Sequence, residues 1–347
     1  MNDILLGLSG GIDSAVSALI LKEQGFNPTG CFLMLTENTD ENSTEAKNAE
    51  ITADFLGIRL IKADFRERFR KNVTDYFIKE YLSGKTPNPC VMCNPTVKIQ
   101  TLIEVAEEYG IEKIATGHYA KTVFSEEFGG MVIKAADSKK DQSYFLSRLS
   151  PSQIEKIIFP LGDFSSKEDV RSRAESFSLP NAKKPDSQEI CFIPDGNYAK
   201  FISDNTDYIP GKGRFIDIYG NTIGEHSGII NYTVGQRKGL GAFGEPRYVK
   251  EINALTNTIT LCKKDERMAD TLTAEGISRA VRNFPEGTFE ADVKIRSTAK
   301  AVPAEITVTG DSLRVTFSEK VIAPTPGQTA AIYKDNIVLG SAFITGK

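Results

Sequence analysis

The chain has 347 residues, 40% of them hydrophobic and 25% charged, with a net charge of −4. That length predicts two or three domains rather than one core, and the composition is that of an ordinary soluble globular protein. No apolar run is long enough to span a bilayer, and the start MNDILLGLSGG has no basic n-region, which excludes a signal peptide and predicts a cytoplasmic protein with reduced thiols.

Charge by itself does not name a partner. Residues 1–200 carry 24 Lys+Arg against 29 Asp+Glu, and residues 201–347 carry 18 against 17. Neither part is basic, although a nucleic acid needs only a local basic track.

In chain order, ILLGL (4–8) reads as a short buried strand and residues 14–24 as a helix ended by Gly25. CFLML (31–35) is a second strand. Residues 45–57 are helical and RLIKADF (59–65) is strand-like. Phe65, Phe69, Val73, Phe77 and Tyr81 recur every four residues, an amphipathic helix stopped by Gly84, Pro87 and Pro89. Ile99, Leu102, Ile103 and Ala106 mark another helix, and KIATGHYA (113–120) another strand. Strand–helix alternation with short apolar strands predicts a parallel α/β sheet. After about residue 200 glycines and prolines increase and alternating strands take over, as in EITVTG (305–310), LRVTF (313–317), AAIY (330–333) and NIVLGSAF (336–343). One or two small β-domains, barrel-like, are expected there.

The hexapeptide SGGIDS (9–14) lies between the first strand and the first helix. Two glycines allow a tight turn, and a helix N-terminus offers free N–H groups to an anion. The same residues would also serve as a plain turn capped by Ser14 or Asp13. No lysine follows the glycines, so this is not a Walker A loop.

Five cysteines remain to be explained. Cys31 and Cys262 lie in apolar strand-like runs and read as inert. Cys90 and Cys93 form a C-x-x-C pair after a proline-broken turn. A structural zinc site wants four ligands, but there is no second pair, and neither His118 nor His226 is suitably spaced. No early strand leads into the pair, as a thioredoxin-like redox site would require. Cys191 sits in the polar stretch KKPDSQEICFIPDG, where Lys183 and Lys184 are candidates to favour its thiolate. Persulfide transfer between two cysteines is ordinary thiol–disulfide exchange, provided that the fold brings them together.

SGGIDSAV resembles the signature of the PP-loop ATP pyrophosphatases. The set SGGIDS, PNPCVMC (87–93), ATGHYAK (115–121), KKDQSYFL (139–146), SQEICFIP (187–194) and NYTVGQRKGLG (231–241) resembles the tRNA-specific 2-thiouridylases, the MnmA family. That resemblance implies an α/β fold: an N-terminal parallel-sheet PP-loop domain (1–200, adenine nucleotide alpha hydrolase-like), a small central domain (201–270) and a C-terminal β-barrel (271–347). It implies adenylation of the wobble uridine by ATP with Mg²⁺, then replacement of AMP by a persulfide sulfur to give 2-thiouridine.

Carried over by motif, Gly7, Leu8, Ser9, Gly10, Gly11, Ile12, Asp13 and Ser14 bind the ATP phosphates. Met34 and Gly117 line the adenosine pocket. Cys191 carries the persulfide and Cys93 is the second catalytic cysteine. Asn88, Pro89 and Cys90 match the segment that receives a flipped base. His118, the loop Lys140, Asp141 and Gln142, and Arg296, Ser297 and Gln328 of the barrel match further tRNA contacts. No metal site in the protein itself is implied. The expected partners are tRNA, with Lys, Glu and Gln acceptors, and a sulfur donor that is a carrier protein or a cysteine desulfurase; no membrane is implied.

One residue departs from the pattern. Many family members have Asp where this chain has Cys90, a candidate general base in those proteins. Cys90 therefore either rivals Cys93 as partner of Cys191, resolves a disulfide, or only packs. Another PP-loop adenylating enzyme, or a non-catalytic RNA-binding protein, remains an alternative reading.

Overall fold

Burial on both faces explains the first strand. In a computed structural model describing residues 2–180, 182 and 190–346, β1 (Asn2–Gly7) lies mid-sheet. Ile4 and Leu6 pack into one core cluster, and Leu5 into another on the opposite face. A strand covered on both sides reads as a continuous apolar run. α1 (Ile12–Glu23) follows, then β2 (Phe26–Met34), α2 (Thr44–Leu56) and β3 (Leu60–Asp64). Ser43 caps α2 through its hydroxyl, and Gly57 ends it in the left-handed region.

The four-residue repeat from Phe65 to Tyr81 has a structural cause. An α-helix has 3.6 residues per turn, so positions four apart drift by about 40° per step. Here α3 (Arg66–Phe69) and α4 (Asp75–Leu82) are joined by a π-helical turn, Arg70–Thr74, whose wider winding takes up the drift. Phe69, Val73, Phe77 and Tyr81 consequently share one buried face. A second π-helical turn, Asn94–Lys98, joins α5 (Pro89–Cys93) to α6 (Ile99–Glu108).

The expected strand 113–120 is shorter. β4 spans only Lys113–Ala115, and the chain then leaves the sheet through Thr116–Tyr119. Ala120 opens a hairpin, β5 (Ala120–Ser125) and β6 (Gly129–Lys134), which is docked to the C-terminal sheet. α7 (Pro151–Lys156), β7 (Ile157–Ile158), α8 (Lys167–Ser176) and α9 (Tyr198–Asp204) complete this part.

The parallel sheet has the order β3-β2-β1-β4-β7. Chain direction across the sheet reverses at β1, since β2 lies on one side of it and β4 on the other. Ligands of such sheets bind in the crevice at the strand C-termini beside that switch.

A four-stranded sheet of β8 (Gly213–Ile216), β9 (Thr222–His226), β10 (Tyr248–Asn253) and β11 (Thr258–Cys262) forms the small middle part, in the order β10-β11-β8-β9. Its Phe215, Val249, Ile259 and Leu261 share a core with Phe77 and Tyr81. The last part contains β12 (Met268–Arg279), β13 (Thr288–Lys294), β14 (Val302–Thr309), β15 (Ser312–Ile322), β16 (Thr329–Lys334) and β17 (Ile337–Gly346). Pairing of β12 with both β15 and β17 closes these six strands into a barrel around Leu272, Val293, Ile306, Val315 and Ile332. Among the described residues no helix is long and apolar enough to cross a membrane.

Candidate nucleotide and thiol site

The SGGIDS loop joins the C-terminal end of β1 to α1. Gly10 has φ +71°, and a Cβ there would stand 2.7 Å from the carbonyl oxygen of Glu45. Only glycine lets the loop lie this close to α2. Gly11 is the N-cap of α1 and provides no side-chain cap. The first-turn N–H groups of α1 are thus left for an anion. Ser14 Oγ accepts from Ser9 N–H at 3.2 Å and donates to Gly11 O at 3.0 Å, which holds the loop in shape. Met34 closes β2 and is buried at the same sheet edge. This cradle suits a polyphosphate: backbone donors, glycine clearance and one carboxylate, Asp13.

Gly117 lies directly behind the loop. A Cβ on it would stand 3.0 Å from the Asp13 carbonyl carbon and 3.1 Å from Ser14 N. The next residue, His118, belongs to a second group of side chains. Thr116 Oγ1 lies 2.8 Å from His118 Nδ1. Burial, reinforced by the charge of Lys98, pushes the imidazole down to about 3, so it is neutral at pH 7 although the residue as a whole is only half-buried.

Lys98 also faces the cysteines. Cys90, Cys93 and Cys191 all feel its charge, and each of the three thiols is in electrostatic contact with another. The fold thus gathers residues from α5, from the turn after it and from a segment about a hundred residues away. All three are free thiols, with Cys93 buried and Cys90 and Cys191 exposed. Burial pushes the Cys93 thiol up to about 12, against which the pull of Lys98 is the weaker effect. Protein crowding raises Cys90 and Cys191 as well, even though both keep accessible surface. Cys31 and Cys262 are fully buried strand residues, and burial lifts the Cys31 thiol to about 12.

Local structure explains the positions. Asn88 Oδ1 accepts from Cys90 N–H at 3.2 Å and from Val91 N–H at 3.4 Å, so it caps α5, with Pro89 in the first helical turn. The C-x-x-C pair therefore lies within a short helix. Lys98 follows Cys93 by five residues, out of phase in an α-helix but in phase across a π-helical turn. That is why the sequence reading missed it. Lys183 and Lys184, the cations expected from sequence, lie outside the described residues. Cys191 is anchored by its neighbour. The Phe192 ring meets Phe69, Phe77 and Phe201 at centroid distances of 5.5, 5.4 and 5.2 Å.

Most of the residues expected to contact tRNA make internal bonds as well. Asp141 accepts from Ala135 N–H, Ser143 N–H and Ser143 Oγ at 3.0, 3.2 and 2.8 Å. Gln142 Oε1 accepts from Tyr119 N–H at 2.9 Å, and Gln142 N–H donates to Tyr119 O at 2.8 Å, which fixes the strand leaving Gly117 and His118. Lys140 is exposed. Arg296 Nη2 donates to Val234 O, Ala323 O and Thr325 Oγ1, tying the middle part to the barrel. Ser297 is half-buried beside it. Gln328 Nε2 donates to Thr86 O at 2.8 Å, and Thr86 N–H donates to Pro326 O at 2.9 Å. The barrel loop thus docks two residues ahead of Asn88.

Three domain families match the chain in series: a tRNA methyl transferase HUP domain over residues 2–195, a tRNA methyl transferase PRC-barrel domain over 200–263 and an aminomethyltransferase β-barrel domain over 269–344. The chain is 41% identical over 350 residues to a Clostridium botulinum protein named tRNA-specific 2-thiouridylase MnmA 2, covering 99% of this chain and 98% of that one. It is 41% identical over 357 residues to a Treponema denticola tRNA-specific 2-thiouridylase MnmA, covering 98% and 97%. An Acetivibrio thermocellus protein of the same name is 40% identical over 354 residues, covering 98% of each. A solved 4-thiouridine synthetase–RNA complex with bound ATP is 18% identical with a TM-score of 0.35, covering 53% of this chain and 43% of that one, too weak a likeness to bear on function.

Proposed function

This chain belongs to the MnmA family of tRNA-specific 2-thiouridylases, and on that premise we propose that it thiolates the wobble uridine of tRNA at C2 at the expense of ATP. One observation carries the reading. The segment Thr116–His118 meets the phosphate loop through Gly117, and His118 feels the charge of Lys98, which also acts on all three thiols. A base activated at the first site would lie beside the sulfur of the second.

In this reading residues 1–200 are the catalytic domain, 201–270 the central domain and 271–347 a tRNA-binding barrel. Gly7 to Ser14 hold the triphosphate on backbone N–H groups, and Met34 and Gly117 flank the adenosine. The uridine O2 attacks the α-phosphate, pyrophosphate leaves, and the base carries AMP as a leaving group on C2. The terminal sulfur of a Cys191 persulfide attacks C2 and AMP departs. The Cys93 thiolate then attacks Cys191 Sγ, which breaks the S–S bond, leaves 2-thiouridine and forms a Cys93–Cys191 disulfide that an external thiol reduces. Among the described residues no three His, Cys, Asp or Glu side chains form a metal site of their own. Mg²⁺ would arrive with ATP, with Asp13 as the carboxylate of the loop, and would neutralise phosphate charge.

Asn88, Pro89 and Cys90 border the flipped base. His118, Lys140, Asp141, Gln142, Arg296, Ser297 and Gln328 shape the surface for the anticodon arm of Lys, Glu and Gln tRNAs. A carrier protein or a cysteine desulfurase loads Cys191, whose exposure permits a protein donor.

The test uses purified protein, Mg-ATP, a persulfide source and unmodified tRNA, with nucleosides read by mass spectrometry. Wild type should form 2-thiouridine, and C93S and C191S should not. Release of AMP and pyrophosphate without thiolated uridine would keep the adenylation chemistry and discard the product. Full activity of C191S would favour a different PP-loop adenylating enzyme.

A further inference from the structure

The loop Ser9–Ser14 contains no lysine, yet the reading above puts a triphosphate, then pyrophosphate, against it. Backbone N–H groups offset only part of that charge. The fold brings a cation from 154 positions away. Lys167, in the first turn of α8, is 5% exposed. Its Nζ donates to Asp13 Oδ1 at 2.5 Å, and Tyr119 OH donates to the same oxygen at 2.8 Å. The ammonium also lies 5.6 Å from the Tyr119 ring centroid.

Two features set this lysine apart from a packing residue. Lysines are almost never buried this deeply unless paired, and its partner is the single carboxylate of the phosphate loop. α8 is also fixed against α1, with Val170 and Ala174 in one core cluster with Ala15, Val16 and Leu19. Ser166 caps α8 through its hydroxyl. The ammonium is therefore delivered to the loop by a rigid element, as a binding group requires.

We propose that Lys167 is the cation of the phosphate site, holding Asp13 in the free protein and binding the polyphosphate of ATP, then pyrophosphate, when the loop is filled. The assignment rests on reading Ser9–Ser14 as a polyphosphate loop. It does not concern the sulfur chemistry.

Calorimetric titration of the full-length protein with ATP, AMP and inorganic pyrophosphate tests it. K167M should weaken ATP and pyrophosphate binding by about 10- to 100-fold, the usual worth of one charge-assisted hydrogen bond. AMP binding should change by less than about twofold, since the charge it lacks is the one Lys167 meets. The slope of log affinity for pyrophosphate against log salt should also flatten. K167Q, which keeps a donor toward Asp13 without the charge, serves if thermal melting shows K167M unfolded. Equal losses for AMP and ATP would mean a packing role and overturn the proposal. So would unchanged pyrophosphate affinity in both variants. If wild type binds neither ATP nor pyrophosphate, the phosphate-loop reading itself falls.

Discussion

At the scale of single residues, the thiols and their neighbours have opposing tendencies. Burial disfavours a charged sulfur, and Lys98 favours it. K98M should shift alkylation of Cys191 by iodoacetamide to higher pH and reduce thiolation about tenfold near pH 7, one unit of thiolate ionisation. K98R should restore most of both. An unshifted alkylation profile would remove Lys98 from the site. His118 gives a second prediction. Its folded-state value, about 3, lies below the ordinary 6.5. Between those values the unfolded chain binds the extra proton, so stability falls as pH is lowered through that window. H118Q should therefore lose less stability than wild type between pH 7 and 4.5, read as urea midpoints. Equal losses would mean that the imidazole is not held neutral. These couplings were not legible in the sequence. Cys93, Cys191 and His118 were named from motifs, but Lys98 became visible only when the π-helical turn brought it round.

At the scale of elements, short distorted helices place the chemistry. α5 is one turn long, is capped by Asn88 and runs into a π-helical turn. Cys191 has no such helix, and its position depends on Phe192, seated among Phe69, Phe77 and Phe201. F192A removes a large core side chain and should cost about 3 kcal/mol or more. It should also slow Cys191-dependent thiolation more than ATP binding. A variant with full thiolation at its native melting temperature would show that the ring does not position the thiol. The exact four-residue spacing from Phe65 to Tyr81 was visible as a helix from sequence. Its π-helical centre follows from the same spacing, because α-helical winding alone would carry Tyr81 off the buried face.

At the scale of the molecule, the three parts interlock. The β5–β6 hairpin of the first part extends the barrel sheet beside β17. Tyr144 OH donates to Thr329 O at 3.0 Å, and Gln328 reaches back to Thr86. Arg296 joins middle and barrel, and desolvation by burial lowers its guanidinium from the ordinary value. In the proposed function this locking keeps the barrel's tRNA-facing loops in register with the thiols. R296A removes the guanidinium donor from Val234 O and leaves Ala323 O with Thr325 Oγ1 alone, and it should destabilise by about 1–3 kcal/mol. Combined with Q328A, it should increase protease sensitivity near residues 85–88 and lower thiolation while ATP binding stays within about twofold. Unchanged proteolysis and thiolation would show that these two residues do not hold the barrel in place.

By itself the sequence determined what local pattern can encode. Periodicity and turn chemistry marked the parallel α/β region and the later β-rich region, and SGGIDS marked a glycine turn between strand and helix, readable as an anion nest or as a plain capped turn. Motif order marked the family, later matched along nearly the whole chain. Tertiary structure decided what depends on distant partners. It cut the strand after Ala115 and handed its continuation to the barrel. It gathered Cys90, Cys93 and Cys191 around Lys98, and set Lys167 against Asp13 of the lysine-free SGGIDS turn. The physical reason is range. Helix and strand patterns repeat within a few residues, whereas electrostatic neighbours and buried pairs are set by long-range packing that no short window contains.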